Sequence, residues 1–240
     1  LRLADLVGPQ GRVHGVDIAP QLIAIAKARG EGRADLSFQT LDAQIGAAEG
    51  APFDRLFSRF GVMFFADSAA AFRNMRGWMR PGGRVDFAAW GPPKANPWFA
   101  RNGAILQAHF DVPKPDPTAP GPMRFANVEA TLAMLEEAGF RDVTCHVHDT
   151  IQPVGDASGS VEAAVNFAMN SGQVGALAAA QSDVSLAAVR ADVAGSAGLV
   201  VNHHGAPQPL GKAGTHLPGK QVNTCARCEG DDQTHRSGRR

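Results

Sequence analysis

The chain has 240 residues, 25.2 kDa, and no net formal charge, because 23 basic residues balance 23 acidic ones. This balance argues against a nucleic-acid binder, which carries an excess of Lys and Arg. Hydrophobic residues make up 44% of the chain, enough to bury a core, but no apolar run reaches the roughly 20 residues that span a bilayer. Three cysteines predict no disulfide scaffold, so we expect a reducing, cytoplasmic location.

Short apolar strands alternate with helices through most of the chain. The predicted strands are Arg12–Ile18, Leu36–Leu41, Phe53–Phe57 and Arg84–Trp90, followed by a half-exposed strand near residues 143–147. Pro20 starts the first full helix, Gly30 ends it, and Asp67 caps the next one. Alanine-rich helices are predicted over residues 161–169 and 174–193. This alternation predicts an α/β fold with a mostly parallel sheet and helices on both faces.

Acidic residues follow the first two predicted strands. Ligands bind open parallel sheets outside the carboxyl ends of the strands, which makes these positions candidate site residues. Asp17 could accept hydrogen bonds from both hydroxyls of a ribose, and the neighbouring Ile18 could lie against a purine. Asp42 could accept a bond from an exocyclic amine at the next strand end. The alternative is that each acid only caps a helix or a turn.

Four segments in this order carry a resemblance to a known family. They are GRVHGVDIAPQLIAIAKAR, LSFQTLDAQ, FDRLFSRFGVMFFAD and MRPGGRVDFAAW. Together they resemble a class I S-adenosylmethionine-dependent methyltransferase, closest to the ubiquinone/menaquinone-biosynthesis group. The resemblance implies a Rossmann-like sheet, S-adenosylmethionine as cofactor and methyl transfer to a small-molecule acceptor. It also implies site roles: Asp17 binds the ribose, Ile18 and Ala43 flank the adenine, Asp42 binds its amino group, and Ser58, Arg59 and Phe60 border the methionine.

Two features of that family are not found in the sequence. The family's first, central strand and its glycine-rich loop (a D-x-G-x-G-x-G type) would precede Leu1, and no closing strand is recognisable after Val193. The resemblance therefore predicts a sheet without its first central strand, in which the strands at Arg12–Ile18 and Phe53–Phe57 leave a gap or collapse together. It also leaves room for a chain without catalytic activity.

Two other functions remain open on the sequence alone. A nicotinamide-dependent oxidoreductase could use Asp17 for the ribose in the same way, although the absence of tyrosine excludes the Tyr-x-x-x-Lys short-chain type. A non-catalytic protein that binds a partner could retain the sheet without its chemistry. Asp42 and the segment SRFGVMFF favour the methyltransferase interpretation.

The composition changes towards the carboxyl end. All 16 aromatic residues (13 Phe and 3 Trp) lie at or before Phe167, and Gly, Pro, His and Gln dominate after Val201. Such a segment cannot bury enough apolar surface to offset the entropy of ordering. We therefore predict a methyltransferase domain over residues 1–195, with an insertion near 91–126, and a disordered or poorly packed tail over 196–240. Deleting Val201–Arg240 should then leave the melting temperature almost unchanged.

Other chemistry-bearing residues give weaker signals. His109 is a candidate base within the insertion, but a surface position is its simpler interpretation, so no catalytic residue is assigned. Cys225 and Cys228 form a single C-x-x-C with histidines nearby, yet without regular structure around them we predict no metal site.

Overall fold

The computed structural model describes residues 1–112, 116–154, 160–170, 174–175, 177, 183–202 and 216–228, of which 149–153, 183–185, 197–202 and 216–228 are described by their backbone alone. The chain forms two compact units. Unit 1 comprises Leu1–Ala88, Val128–Cys145 and Asn223–Arg240, and unit 2 comprises Ala89–Asn127 and His146–Val222. The predicted insertion at 91–126 falls in unit 2.

Strands and helices alternate as the sequence predicts. In chain order the described elements are α1 (Arg2–Leu6), β1 (Val13–Asp17), α2 (Pro20–Arg29), β2 (Leu36–Thr40), β3 (Phe53–Arg59), α3 (Ser68–Gly77), β4 (Met79–Trp90), α4 (Pro97–His109), α5 (Val128–Glu137), β5 (Phe140–Pro153), α6 (Val161–Asn170), α7 (Asp183–Asn202) and β6 (His216–Cys228), with short 3-10 helices at Val62–Phe64 and Pro93–Ala95. None of the described helices is both long and apolar enough to cross a membrane.

The strands form two sheets. β1 and β2 pair in parallel, with Val13 opposite Leu36 and Asp17 opposite Thr40. The other sheet has the order β3-β4-β6-β5, and β3 and β4 are parallel. Within the described ranges, no strand pairs with the second edge of β1 or of β3. β1 and β3 thus belong to different sheets, and the missing central strand between them stays a prediction.

Local signals in the sequence set the ends of the helices around the sheets. Pro20 occupies the first turn of α2, where its missing N–H costs no hydrogen bond, and Gly30 follows the last residue of the helix. Asp67 caps α3, since its Oδ1 accepts a hydrogen bond of 2.9 Å from the N–H of Ala70. These three predicted boundaries are confirmed.

β4 begins five residues earlier than the sequence predicts, at Met79 instead of Arg84. The segment Pro81-Gly82-Gly83 forms an irregularity within the strand, because the β3–β4 register shifts between Phe53 and Arg55. Gly82 has a φ of 75°, a conformation that suits glycine and allows the extra residues of β4 to bulge.

A strand in the predicted tail is the main correction to the sequence analysis. β6 runs from His216 to Cys228 and lies between β4 and β5 in the sheet order. The sequence gives a weak strand signal there, since Pro218 and Gly219 are both depleted in strands. Pairing with strands on both sides overrides that local preference. The predicted boundary at residue 195 also falls inside α7, and residues 203–215 and 229–240 lie outside the described part.

Each unit has its own apolar core. In unit 1 the ring of Phe72 packs against those of Phe87, at 5.3 Å between centroids, and of Phe140, at 6.1 Å. All three side chains are at most 2% exposed. In unit 2, helices α4, α6 and α7 contribute most of a separate cluster. Its buried members are Trp98, Leu106, Val154, Ala164, Val165, Ala168, Val174, Val189 and Val193.

An ion-pair network on unit 1 should make the stability of the fold depend on pH. The guanidinium of Arg33 donates to both oxygens of Asp35, at 2.7 and 2.9 Å, and to Asp5 at 2.8 Å. The hydrogen bond from Arg33 lowers the pKa of Asp35 from 3.8 to about 2. Because this pKa is depressed in the folded state, its contribution to stability is complete above about pH 4 and disappears as the pH falls towards 2.

We therefore expect Asp35→Asn to lower the denaturation midpoint at pH 5 and to have little effect at pH 2. Urea denaturation of both proteins across this range measures the difference. A difference that stays constant from pH 5 to pH 2 would show that the ionised carboxylate of Asp35 is not responsible.

Candidate functional site

The structure brings Asp17 and Asp42 to the same edge of one sheet. Asp17 is the last residue of β1 and lies opposite Thr40, the last residue of β2. The N–H of Leu41 donates to the carbonyl of Asp17 at 2.9 Å, which holds the two strand ends together. Since the strands are parallel, both acids follow the carboxyl end of their strand, as the sequence predicts.

Asp17 closes the turn before α2 and retains an unused oxygen. Its Oδ1 accepts a hydrogen bond of 2.8 Å from the N–H of Ala19, the residue before the helix, so the turn-cap interpretation is correct for one of its oxygens. From the described residues, Oδ2 accepts no hydrogen bond. Ile18, the next residue, is 66% exposed, an unusual state for a large aliphatic side chain at a strand end.

Asp42 has the same arrangement at the end of β2. Its Oδ1 accepts from the N–H of Gln44 at 2.8 Å, and its carbonyl accepts from the N–H of Gly46 at 2.8 Å. The turn that follows β2 is thus closed by Asp42 itself. Within the described part of the chain, its Oδ2 has no hydrogen-bond donor. Each of the two acids therefore has one oxygen in a structural bond and one available to a ligand.

Two residues that the sequence analysis did not identify fix this turn. The side-chain amide of Asn74, on α3, donates to the carbonyls of Ala43 at 3.1 Å and of Gly46 at 2.7 Å. The Oε1 of Gln44 accepts from the N–H of Asp67, at the start of α3, at 2.9 Å. Gln44 ends the segment LSFQTLDAQ, but the role of each residue depends on contacts across more than 20 positions of the chain and could not be predicted from its neighbours. They position the segment that holds Asp42 and Ala43.

Replacing Asn74 tests this positioning role. Asn74→Ala removes two hydrogen bonds, each worth about 0.5–1.5 kcal/mol, so we expect a loss of roughly 1–3 kcal/mol in the free energy of unfolding. Arg73→Ala is the matched control, because Arg73 is exposed on the same helix and should change stability by less than about 0.5 kcal/mol. Urea denaturation measures both. Equal losses for the two variants would contradict the role of Asn74.

The third predicted group lies at the end of a strand of the other sheet. Ser58 and Arg59 end β3, and the N–H of Phe60 donates to the carbonyl of Ala88 at 3.0 Å. The guanidinium carbon of Arg59 lies 5.2 Å from the centroid of the Phe60 ring, within cation–π range. Ser58, Arg59 and Phe60 are thus adjacent to one another, in a different sheet from Asp17 and Asp42.

The backbone at Phe60 is strained. Its φ is 63°, in the left-handed region that a bulky side chain rarely adopts. Gly61 follows, and a Cβ at that position would lie 3.2 Å from the Oγ of Ser58. Strain of this kind costs about 1–3 kcal/mol and concentrates at ligand-binding segments. The sequence analysis identified this segment from the resemblance but gave no sign of the strain.

His109, the candidate base, belongs to unit 2. It ends α4, and its Nε2 lies 2.7 Å from Oδ2 of Asp192 on α7. The structure therefore gives it a role in joining two helices of that unit.

Candidate metal ligands show no cluster. The described residues contain no group of three or more His, Cys, Asp or Glu side chains that could hold a metal ion. The side chains of Cys225 and Cys228 lie outside the described part, so their predicted lack of a metal stays a prediction.

Comparisons with known proteins agree with the predicted family. Residues 1–83 match the profile of a methyltransferase domain. Aklanonic acid methyltransferase DauC from Streptomyces sp. (strain C5) is 33% identical over 88 residues, which are 36% of this chain and 40% of that protein. Phosphoethanolamine N-methyltransferase 1 from Triticum aestivum is 27% identical over 132 residues, 55% of this chain and 24% of that protein. The matched regions thus span less than half the length of these relatives.

Two solved structures share the fold at low identity. The [4+2]-cyclase SpnF has a TM-score of 0.51 and 16% identity, with coverage of 95% of this chain and 71% of SpnF. A protein of echinomycin biosynthesis, described with the conversion of a disulfide bond into a thioacetal group, has a TM-score of 0.50 and 14% identity, with coverage of 97% and 71%. The oxidoreductase alternative finds no support in these matches. The match over residues 1–83 agrees with the resemblance of the sequence to class I S-adenosylmethionine-dependent methyltransferases.

Proposed function

We propose that the chain binds S-adenosylmethionine at the carboxyl ends of β1 and β2 and transfers its methyl group to a small-molecule acceptor. The observation that carries the proposal is the pair Asp17 and Asp42, at the carboxyl ends of two paired strands and each with one oxygen that no described residue uses. Two carboxylates at neighbouring strand ends suit an adenosine, which offers hydroxyl donors at the ribose and an amine donor at the base.

The residues present fit the predicted roles. Asp17 would accept the ribose hydroxyls through Oδ2 while Oδ1 keeps α2 in place. Asp42 would accept the adenine amine, and the exposed side chain of Ile18 and the half-buried Ala43 would cover the faces of the ring. Ser58, Arg59 and Phe60 would border the methionine end. Burial of Ile18 under an adenine would also remove an exposed apolar surface from water.

When bound, S-adenosylmethionine supplies a methyl group that its sulfonium already activates. The residues of this chain then have to bind, orient and exclude water, because an in-line displacement is accelerated mainly by positioning. Asn74 and Gln44 contribute by holding the turn after β2. No proton transfer by the protein is needed unless the acceptor must lose a proton, and no base is assigned here.

A non-catalytic protein could also hold an adenosine through Asp17 and Asp42, without transfer of a methyl group.

Calorimetric titration separates these functions. S-adenosylhomocysteine, S-adenosylmethionine and NAD are each titrated into the 240-residue chain, and into the same chain extended at Leu1 by a strand and glycine-rich loop of the family pattern. We expect both adenosyl ligands to bind and NAD to give no saturable heat. Transfer of a radiolabelled methyl group to phenol and amine acceptors then distinguishes an enzyme from a binding protein. NAD binding without S-adenosylhomocysteine binding, or no binding to either form of the chain, would contradict the proposal.

A further inference from the structure

Unit 2 contains a buried polar side chain within an apolar helix face. Trp98, Asn102 and Leu106 follow one another at intervals of four residues along α4, and each is at most 8% exposed. Trp98 and Leu106 belong to the apolar cluster of unit 2. An asparagine in the middle of such a face is expected to have its amide satisfied, because an unpaired buried amide costs free energy.

The facing helix presents a second polar group in the same way. Val189, Val193 and Ser196 lie on one face of α7, and the two valines are at most 1% exposed. Two contacts tie this helix to α4: His109 to Asp192 at 2.7 Å, and Nη1 of Arg101 to the carbonyl of Ser196 at 3.3 Å. The second contact places Ser196 beside the turn of α4 that contains Asn102.

Neither polar group has a partner among the described residues. The Oδ1 of Asn102 and the Oγ of Ser196 are fully buried, and no hydrogen bond joins either atom to the described part of the chain. Another buried asparagine of this unit, by contrast, has hydrogen-bond partners for its side-chain amide. Asn96, also in unit 2 and 1% exposed, donates from Nδ2 to the carbonyls of Gly91 and Pro92, each at 3.0 Å.

We propose that Asn102 and Ser196 form the polar end of a binding site in unit 2 for an apolar small molecule that carries one hydroxyl or amine donor. An amide oxygen only accepts, and a hydroxyl oxygen accepts equally well, so the guest must supply the donor. The rest of the guest is apolar because Trp98, Leu106 and Val193 surround the position. The site is separate from the proposed adenosyl site, and it requires no methyl transfer.

The buried position selects a neutral guest. Asn102 is 8% exposed, and an ionised guest beside it would lose most of its hydration. Entry of the neutral guest would part the contact between α4 and α7 and satisfy two polar groups that are unpaired without it.

Two probes that differ by one donor test the site. 2-Naphthol carries an O–H group, and 2-methoxynaphthalene has the same rings without it. We expect 2-naphthol to bind about tenfold more tightly to the full chain, the equivalent of one hydrogen bond to an otherwise unpaired group. Asn102→Leu and Ser196→Ala should each reduce this preference, and Asn102→Leu should also raise the melting temperature, because it removes an unsatisfied amide.

Asn166→Leu is the control, since Asn166 is exposed on α6 and should leave the preference unchanged. Equal affinity of the two probes for the unmodified chain would overturn the proposal, as would the absence of binding to either. A tenfold preference that survives in Asn102→Leu would overturn it too. Those results would leave Asn102 with a structural role only, such as contact with an enclosed water.

Discussion

Deleting residues 216–240 should abolish the cooperative unfolding of the chain. β6 lies between β4 and β5, so its removal separates the strand that holds Phe87 from the strand that holds Phe140, two members of the core of unit 1. The loss should approach the 5–15 kcal/mol that stabilises a typical domain. Thermal unfolding followed by circular dichroism should show a broad, shallow transition in place of a sigmoidal one.

A truncation after Cys228 is the matched control, because it keeps β6 and removes only the residues beyond it. The composition of the tail, in contrast, predicts that deletion of 216–240 leaves the melting temperature almost unchanged. If removal of 216–240 shifts the melting temperature by no more than about 2–4 °C, the change expected for 1 kcal/mol at this size, then the tail is dispensable and β6 is not part of the folded sheet.

Asp17→Ala should weaken the binding of S-adenosylhomocysteine by about 10- to 10⁴-fold. The variant loses one or two charge-assisted hydrogen bonds to the ribose, each worth about 1.5–3 kcal/mol. Asp67→Ala is a close control, since Asp67 also accepts one local hydrogen bond, of 2.9 Å from the N–H of Ala70, against 2.8 Å from the N–H of Ala19 to Asp17. Each variant loses one such bond, about 0.5–2 kcal/mol of stability, and only Asp17→Ala should lose affinity.

Asp17→Asn separates the two roles of this residue. The amide oxygen of asparagine can still accept from the N–H of Ala19, so stability should be largely retained, but the charge that favours the ribose hydroxyls is lost. Calorimetric titration of each folded variant measures the affinities. Equal affinities for the Asp17 and Asp67 variants would show that Asp17 is only a cap.

Much of the fold and the position of the site could be predicted from local patterns. β1, β2 and β3 follow short apolar runs, α2 begins at Pro20 and ends before Gly30, and the candidate acids stand directly after their strands. These features depend on a few neighbouring residues, whose preferences for turns and caps are strong. The same local patterns predict that a ligand binds at the carboxyl ends of the strands.

The features that sequence reasoning missed depend on distant contacts. β6 contains Pro218 and Gly219 and becomes a strand because two other strands flank it. Asn74 and Gln44 are ordinary polar residues until α3 meets the turn after β2. The strain at Phe60 and the unpaired amide of Asn102 are likewise invisible in the sequence, because each is a property of the backbone or of the surroundings in three dimensions.

Mapping the adenosyl site by nuclear magnetic resonance tests the central claim most directly. The ¹⁵N-labelled chain is titrated with S-adenosylhomocysteine while the backbone amide signals are followed. We expect the amides of Asp17, Ile18, Asp42 and Ala43 to shift together with one dissociation constant, and those of Arg59 and Phe60 to follow them. Saturable shifts that leave the amides at the ends of β1 and β2 unchanged would contradict the proposed site.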